Sequence, residues 1–190
     1  VPHQSPASLK PLDRWLRDAR IAHARPFIPE GAALLDLGSG DGELIRRLSG
    51  HVGRAVGIEP TLRERVVGDG YELLPGRFPG ELPDIDEFDV ITMLAVIEHL
   101  APPDQALLAD TCLRLLRPNG RVVLTVPSPR VDTILNLLRG LHLIAGMAVH
   151  EHHGFSPSMT VELFPPPRYR LVRQARFQLT LNNLFVFEKV

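Results

Sequence analysis

Two carboxylates with a glycine loop between them, Asp36 and Glu59, are the residues best placed in this sequence to grip a small charged ligand. The loop Gly38-Ser39-Gly40-Asp41-Gly42 follows the apolar run Ala32-Ala33-Leu34-Leu35-Asp36-Leu37. Glycines lack a β-carbon, so backbone can approach a bound molecule closely there. The dinucleotide fingerprint wants its third glycine three positions after the second, but Gly42 comes two after Gly40 and position 43 is Glu43. That spacing disfavours a pyrophosphate loop and, with it, a nicotinamide oxidoreductase. Asp36 and Asp41 would repel a diphosphate and attract a cation, and a sulfonium amino acid carries the matching charge. Glu59 ends the next apolar run, Ala55-Val56-Gly57-Ile58, where a carboxylate can accept from both hydroxyls of a ribose.

Two further groups bear on chemistry. His99 follows Glu98 after a strong apolar run, and an unperturbed imidazole titrates near neutral pH, so it could orient or deprotonate a substrate hydroxyl. The alternative is that the pair braces the turn. His150-Glu151-His152-His153 has metal-ligating side chains, but adjacent histidines do not share one helical face as an i, i+4 pair does. No metal is assigned, and the tract reads as a solvated or substrate-contacting loop.

These residues need a scaffold. Leu9 to Ala24 repeats apolar positions at helical spacing and predicts a helix within residues 9–25, while residues 1–8 read as disordered. Ala32–Leu37, a helix from Glu43, and Ala55–Ile58 form a strand, helix, strand unit whose ligand edge lies beyond the strand ends. Tyr71–Leu74, Phe88–Leu94 and Arg121–Val126 read as strands, and Gln105–Leu116 as a helix closed by Pro118-Asn119-Gly120. Residues 131–168 read as an insertion of an apolar helix and a loop near the substrate side. Tyr169–Phe177 and Asn183–Glu188 then read as an antiparallel edge. No linker or repeat divides residues 1–190, which are expected to form one domain.

Composition narrows the classes. A formal net charge of -1 gives no broad basic field for nucleic acid, and the apolar run from Ile134 to Val149 is polar-interrupted and too short to span a membrane. A single cysteine, Cys112, supports neither an intramolecular disulfide nor a cysteine zinc site, and a cytoplasmic setting fits.

The runs Leu34–Leu48, Val56-Gly57-Ile58-Glu59, Phe88-Asp89-Val90-Ile91 and Leu115-Leu116-Arg117-Pro118-Asn119-Gly120-Arg121 together resemble the class I S-adenosylmethionine-dependent methyltransferases. Among these, the methionine-biosynthesis W-type and ubiquinone-type enzymes are the nearest likeness. The resemblance implies an α/β fold, a three-layer Rossmann-like sandwich with a mostly parallel seven-stranded sheet and an antiparallel C-terminal edge. It implies S-adenosylmethionine as cofactor and a small-molecule acceptor. Asp36 with Gly38, Ser39 and Gly40 would then face the methionine moiety, Glu59 the ribose and Pro60 the adenine. Leu94 and Ala95 would touch the cofactor through backbone. The family's acidic residue for the adenine amine is replaced by Arg77, so the Phe78 backbone and ring, or Asp84 or Asp86, would take that part. The competing expectation is a catalytically silent, cofactor-binding scaffold of the same fold, since fold alone does not fix function.

Overall fold

The computed structural model describes residues 11–79, 87–128 and 157–190. Helix α1 (Pro11–Ala24) buries Leu16, Ile21 and Ala24, as its apolar spacing predicts, leaves Arg14 and Trp15 exposed, and half-buries Arg17 and Arg20. Strand β1 (Ala33–Leu37) is buried along its whole length, leads through the glycine loop into the short α2 (Glu43–Arg47), and is followed by β2 (Arg54–Glu59). Then come β3 (Val66–Gly68), β4 (Tyr71–Pro75), β5 (Phe88–Leu94), α3 (Pro102–Leu115) and β6 (Leu116–Pro127). Past a gap in the description come α4 (Met159–Leu163), β7 (Tyr169–Phe177) and β8 (Asn182–Lys189).

The strands form one eight-stranded sheet in the order β3, β4, β2, β1, β5, β6, β8, β7. β4, β2, β1, β5 and β6 pair in parallel, and β8 and β7 close the far edge antiparallel. The α/β expectation holds, with one strand more than the seven read from the sequence. The addition is β3, which pairs antiparallel with β4 around Asp69-Gly70, a dipeptide suited to a tight hairpin because Gly70 takes φ 73°.

Side chains alternate between two cores. Ala33, Leu35 and Leu37 face α3 with Val56, Ile58, Ile91 and Leu108, whereas Leu34 faces α1 and α2 with Ala55, Val90, Ile21 and Ile45. Helices on both faces explain why β1 is apolar at nearly every position instead of alternating. Its exception, Asp36, falls on the α1 and α2 face. From β1 the chain leaves one way to β2 and returns on the other side as β5, so the carboxyl ends of β1 and β5 flank the crevice where open α/β sheets bind ligands.

Two boundaries differ from the sequence reading. α3 begins at Pro102, not Gln105, because proline fits a first helical turn whose N–H is unpaired anyway. Pro118-Asn119-Gly120 does not form a loop closing the helix. It lies inside β6, where pairing with β5 slips between Phe88 and Val90 and Asn119 takes φ 62°. Lys189 Nζ donates to the Leu113 and Leu116 carbonyls at 2.8 and 2.5 Å, satisfying the end of α3 from β8. The expected helix within 131–148, the His150–His153 tract, Asp84, Asp86 and residues 1–8 lie outside the described residues. Among the described residues no helix is long and apolar enough to cross a membrane.

Candidate functional site

Asp36 sits one residue before the end of β1, in register with Gly57 on β2 and Thr92 on β5. It is buried, and Thr92 Oγ1 donates to its Oδ1 at 2.6 Å. Burial disfavours the charged form and pushes the Asp36 carboxyl up to about 7. The Thr92 hydrogen bond opposes this, and the charge of Glu59 adds to it. A buried carboxyl at the end of a strand, with its pKa raised by burial, is a candidate partner for a cationic ligand group.

The glycine loop is pinned to β2. The amides of Gly38 and Ser39 both donate to the Ile58 carbonyl, at 2.9 and 3.2 Å, and Gly42 donates to Ser39 O at 2.8 Å. Gly57 makes room for this fold-over, since a Cβ there would lie 2.7 Å from Ser39 Oγ. Gly38 and Gly40 take φ 70° and 54°, where an L side chain is strained. Their surroundings differ: a Cβ at Gly38 would meet Val96 Cγ2 at 2.5 Å, and one at Gly40 would meet nothing within 4 Å among the described residues. Among those residues the Gly40 backbone therefore borders open space. Ser39 Oγ, beside it, is buried with no hydrogen-bond partner among the described residues, and a buried polar atom of that kind asks for a ligand or water.

Glu59 closes the site from the end of β2. It is buried at 8% exposure; its Oε2 accepts from Gly40 N at 2.9 Å and its Oε1 from Thr61 N and Thr61 Oγ1 at 3.0 and 2.7 Å. β-Strand alternation places Asp36 and Glu59 on the same face of the sheet, on either side of Gly40.

Asp41 does not join them. Its carboxylate faces Arg17 Nη1 at 3.6 Å and Arg46 Nη2 at 3.5 Å, so its charge serves to tie the loop to α1 and α2 instead of drawing a cationic ligand. The expectation that Asp41 joins Asp36 in attracting a cation is thereby corrected, since Asp41 is already paired with two arginines.

Across the crevice, Val96 packs on Gly38 and brings the end of β5 against the loop. Leu94 and Ala95 are half-buried there. Ala95 takes φ 62°, uncommon for a residue with a β-carbon, while its amide donates to Thr125 O at 3.0 Å. Pro60 is exposed just beyond Glu59. Phe78 is elsewhere: its side chain is buried in the α3-side core, so its ring is committed to packing and only its backbone is left to meet a ligand. His99 is exposed, with Nε2 at 4.0 Å from Oε1 of the buried Glu98.

Sequence reasoning missed the threonines. Thr92 was readable as the lone hydroxyl inside Phe88–Leu94, but its pairing with Asp36 depends on register, which no single strand reveals. Thr61 lies two residues past Glu59, a spacing at which a side chain commonly meets its neighbours' backbone. The assembled arrangement can hold a molecule that offers a cation to Asp36 and hydroxyls to Glu59.

The model of a methyltransferase domain matches residues 12–162 of this chain. A ubiquinone biosynthesis O-methyltransferase of Aeromonas salmonicida is 29% identical over 137 residues, 66% of this chain and 57% of that protein. The chain thus spans under three fifths of the length of such curated relatives. Among solved structures, magnesium protoporphyrin IX methyltransferase from Synechocystis with bound S-adenosylhomocysteine has TM-score 0.67 at 11% identity, covering 98% of this chain and 90% of that one. The N-methyltransferase NodS from Bradyrhizobium japonicum, also with S-adenosylhomocysteine, has TM-score 0.65 at 15% identity, covering 96% and 89%. At these identities the structural likeness speaks for the fold.

Proposed function

This chain belongs to the methyltransferase-domain family, with S-adenosylmethionine as its cofactor, and we propose that it transfers a methyl group from that cofactor to a small-molecule acceptor by direct in-line displacement. The observation that carries the reading is the pair of buried carboxylates, Asp36 and Glu59, on one sheet face around the open backbone of Gly40. The residues suit that molecule: a buried anion matches the amino acid's ammonium, a second carboxylate matches a diol, and the orphaned Ser39 hydroxyl gains a partner.

In this reading Asp36 and the backbone of Gly38, Ser39 and Gly40 hold the methionine end, and Glu59 holds the ribose. Pro60 and the Phe78 backbone border the adenine, and Leu94 and Ala95 form the floor of the site. Three of the roughly four acceptor positions on the Glu59 carboxylate already take donors. A diol that uses both oxygens therefore enters in exchange for a protein hydrogen bond, and the Gly40 amide is the one bordering the space. When bound, S-adenosylmethionine supplies an activated methyl group, so the chain's task is to align the acceptor and exclude water.

His99, exposed in the turn after β5, is assigned as the base for a hydroxyl acceptor. An amine acceptor would need no such proton removal at the transfer step. The small-molecule acceptor is supported by relatives named for ubiquinone biosynthesis and for magnesium protoporphyrin IX. The test is incubation with methyl-labelled S-adenosylmethionine and a panel of phenols, catechols and amines. Labelled product with matching S-adenosylhomocysteine supports the proposal. Saturable cofactor binding with no transfer to any of them would contradict it in favour of a cofactor-binding scaffold.

A further inference from the structure

Thr92 carries the one hydroxyl of strand β5 and is fully buried there. A buried hydroxyl is costly unless it is hydrogen-bonded, so its partner matters. Two acceptors are in reach: Asp36 Oδ1 at 2.6 Å and the Leu35 carbonyl at 3.4 Å. Hydroxyl donors favour roughly 2.5–3.0 Å, so the hydrogen goes to Asp36. Register makes this pair: β1 and β5 run parallel with Asp36 opposite Thr92, on the sheet face that α1 and α2 cover. Asp36 is thus held by Oδ1, and no hydrogen bond to its Oδ2 occurs among the described residues.

This contact does not serve both states of Asp36 equally. An ionised carboxylate only accepts, and Thr92 gives it a short, charge-assisted bond. A protonated carboxyl keeps that bond in its weaker neutral form, or donates to Thr92, whose own hydrogen must then turn to the more distant Leu35 carbonyl. Either way the hydroxyl favours the charged form, against the burial that raises the carboxyl to about 7. Glu59, at the end of β2, adds to that rise. Asp41, in the loop after β1, is held by Arg17 of α1 and Arg46 of α2. Arg17 also faces Asp18 and Glu43, and Arg20 of α1 donates to Asn182 of β8. On β5 the one charge is Asp89, near the opposite end and paired with Arg117. Among the described residues Thr92 alone donates to the Asp36 side chain.

We propose that Thr92 positions Asp36 for the cofactor: its hydroxyl holds the carboxylate by Oδ1 and leaves Oδ2 to meet the ammonium group of the methionine moiety. The inference rests on the cofactor reading of the same site. Thr92 touches Asp36, not the ligand, so it is a positioning residue. Valine at this position keeps the branched shape without a donor, and the ionised form of Asp36 then loses the bond that favours it. Serine keeps the hydroxyl and should restore the bond.

The test follows the Asp36 carboxyl carbon by NMR in the ligand-free full chain, labelled at aspartate, with the signal assigned by its loss in Asp36→Asn. Its midpoint, about 7 in the unaltered protein, is expected to move up by about one pH unit in Thr92→Val, the difference between a charge-assisted and a neutral hydrogen bond. Thr92→Ala also lacks the hydroxyl, should shift the midpoint the same way, and carries the test if Thr92→Val does not fold. Thr92→Ser should return it. Calorimetric titration with S-adenosylhomocysteine should show the same displacement: affinity about tenfold below that of the unaltered protein at about pH 6, with the gap closing by about pH 9. A midpoint unmoved in the hydroxyl-free variants, or one that serine leaves displaced, overturns the inference. An affinity loss of the same factor at every pH also overturns it, by marking a structural role alone. Failure of the unaltered chain to bind S-adenosylhomocysteine would instead overturn the cofactor reading, and the carboxyl midpoints would still decide whether Thr92 controls Asp36.

Discussion

Glu59 Oε2 accepts the amide hydrogen of Gly40 at 2.9 Å, so the end of β2 holds the crest of the loop that follows β1. The same carboxylate that the function needs thus also shapes the loop. Glu59→Gln tests this double duty. One of the two side-chain oxygens becomes an NH2 facing either the Gly40 amide or Thr61, and a donor there opposes a donor. S-adenosylhomocysteine affinity is expected to fall by about tenfold or more, with about 1–3 kcal/mol of stability lost to the mismatched buried group. Calorimetry and thermal unfolding of the variant read the two effects separately.

Asp36 gives the site a pH dependence. Its folded carboxyl is raised to about 7 by burial, while an exposed aspartate ionises near 4. The folded state therefore keeps the proton to higher pH than the unfolded chain does. The contribution of Asp36 to stability is full below about 4 and is lost as pH rises from there through about 7. Asp36→Asn should remove that slope and melt higher than the unaltered protein at pH 8, as seen by the difference between their melting curves across pH 5 to 8.

A cationic ligand that needs the ionised carboxylate reverses the sign for binding. Affinity for S-adenosylhomocysteine should weaken by up to about tenfold per pH unit below about 7, because binding must first release the Asp36 proton. In Asp36→Asn the affinity should be low and flat over the same range. A wild-type affinity that does not change between pH 5 and 7 would contradict the assignment of Asp36 to the ligand's cation.

Gly38 and Gly40 separate folding from binding. Both take left-handed φ, so alanine at either costs about 1 kcal/mol in backbone strain. At Gly38 the new Cβ also meets Val96 at 2.5 Å, whereas at Gly40 it meets no atom of the described residues within 4 Å. Gly38→Ala should lower the melting temperature well beyond Gly40→Ala. Gly40→Ala should fold and still lose cofactor affinity, because its methyl group occupies the space beside the loop.

How much of this was readable beforehand depended on whether a feature is local. Asp36, the glycines and Glu59 are local signals, each placed by an apolar run that ends beside it, and β1, β2 and β5 follow from the same runs. Thr92 and Arg20 are not. One meets Asp36 through strand register and the other meets Asn182 across 162 positions of chain, so both depend on tertiary packing. Asp41 shows the converse error: sequence displays its charge but not Arg17 and Arg46, which neutralise it. The β3 hairpin went unread, because its strand is only three residues long and exposed at Val67, too short for alternation to announce it.

His99→Ala divides the acceptor classes. With a hydroxyl acceptor, loss of a general base should reduce kcat by about 10²–10⁴-fold and leave S-adenosylhomocysteine affinity intact. With an amine acceptor the same change should leave kcat nearly untouched. Steady-state rates with a catechol and with an amine, measured on one preparation, decide which role the imidazole has.

The most direct test of the central claim is calorimetric titration of the intact chain with S-adenosylmethionine and with S-adenosylhomocysteine, alongside Asp36→Ala and Glu59→Ala. Saturable one-to-one binding of both ligands, weakened by each substitution in protein that still melts cooperatively, is the predicted result. No binding by the folded, unaltered chain, or binding that neither substitution weakens, would contradict a cofactor site built on Asp36, Gly40 and Glu59.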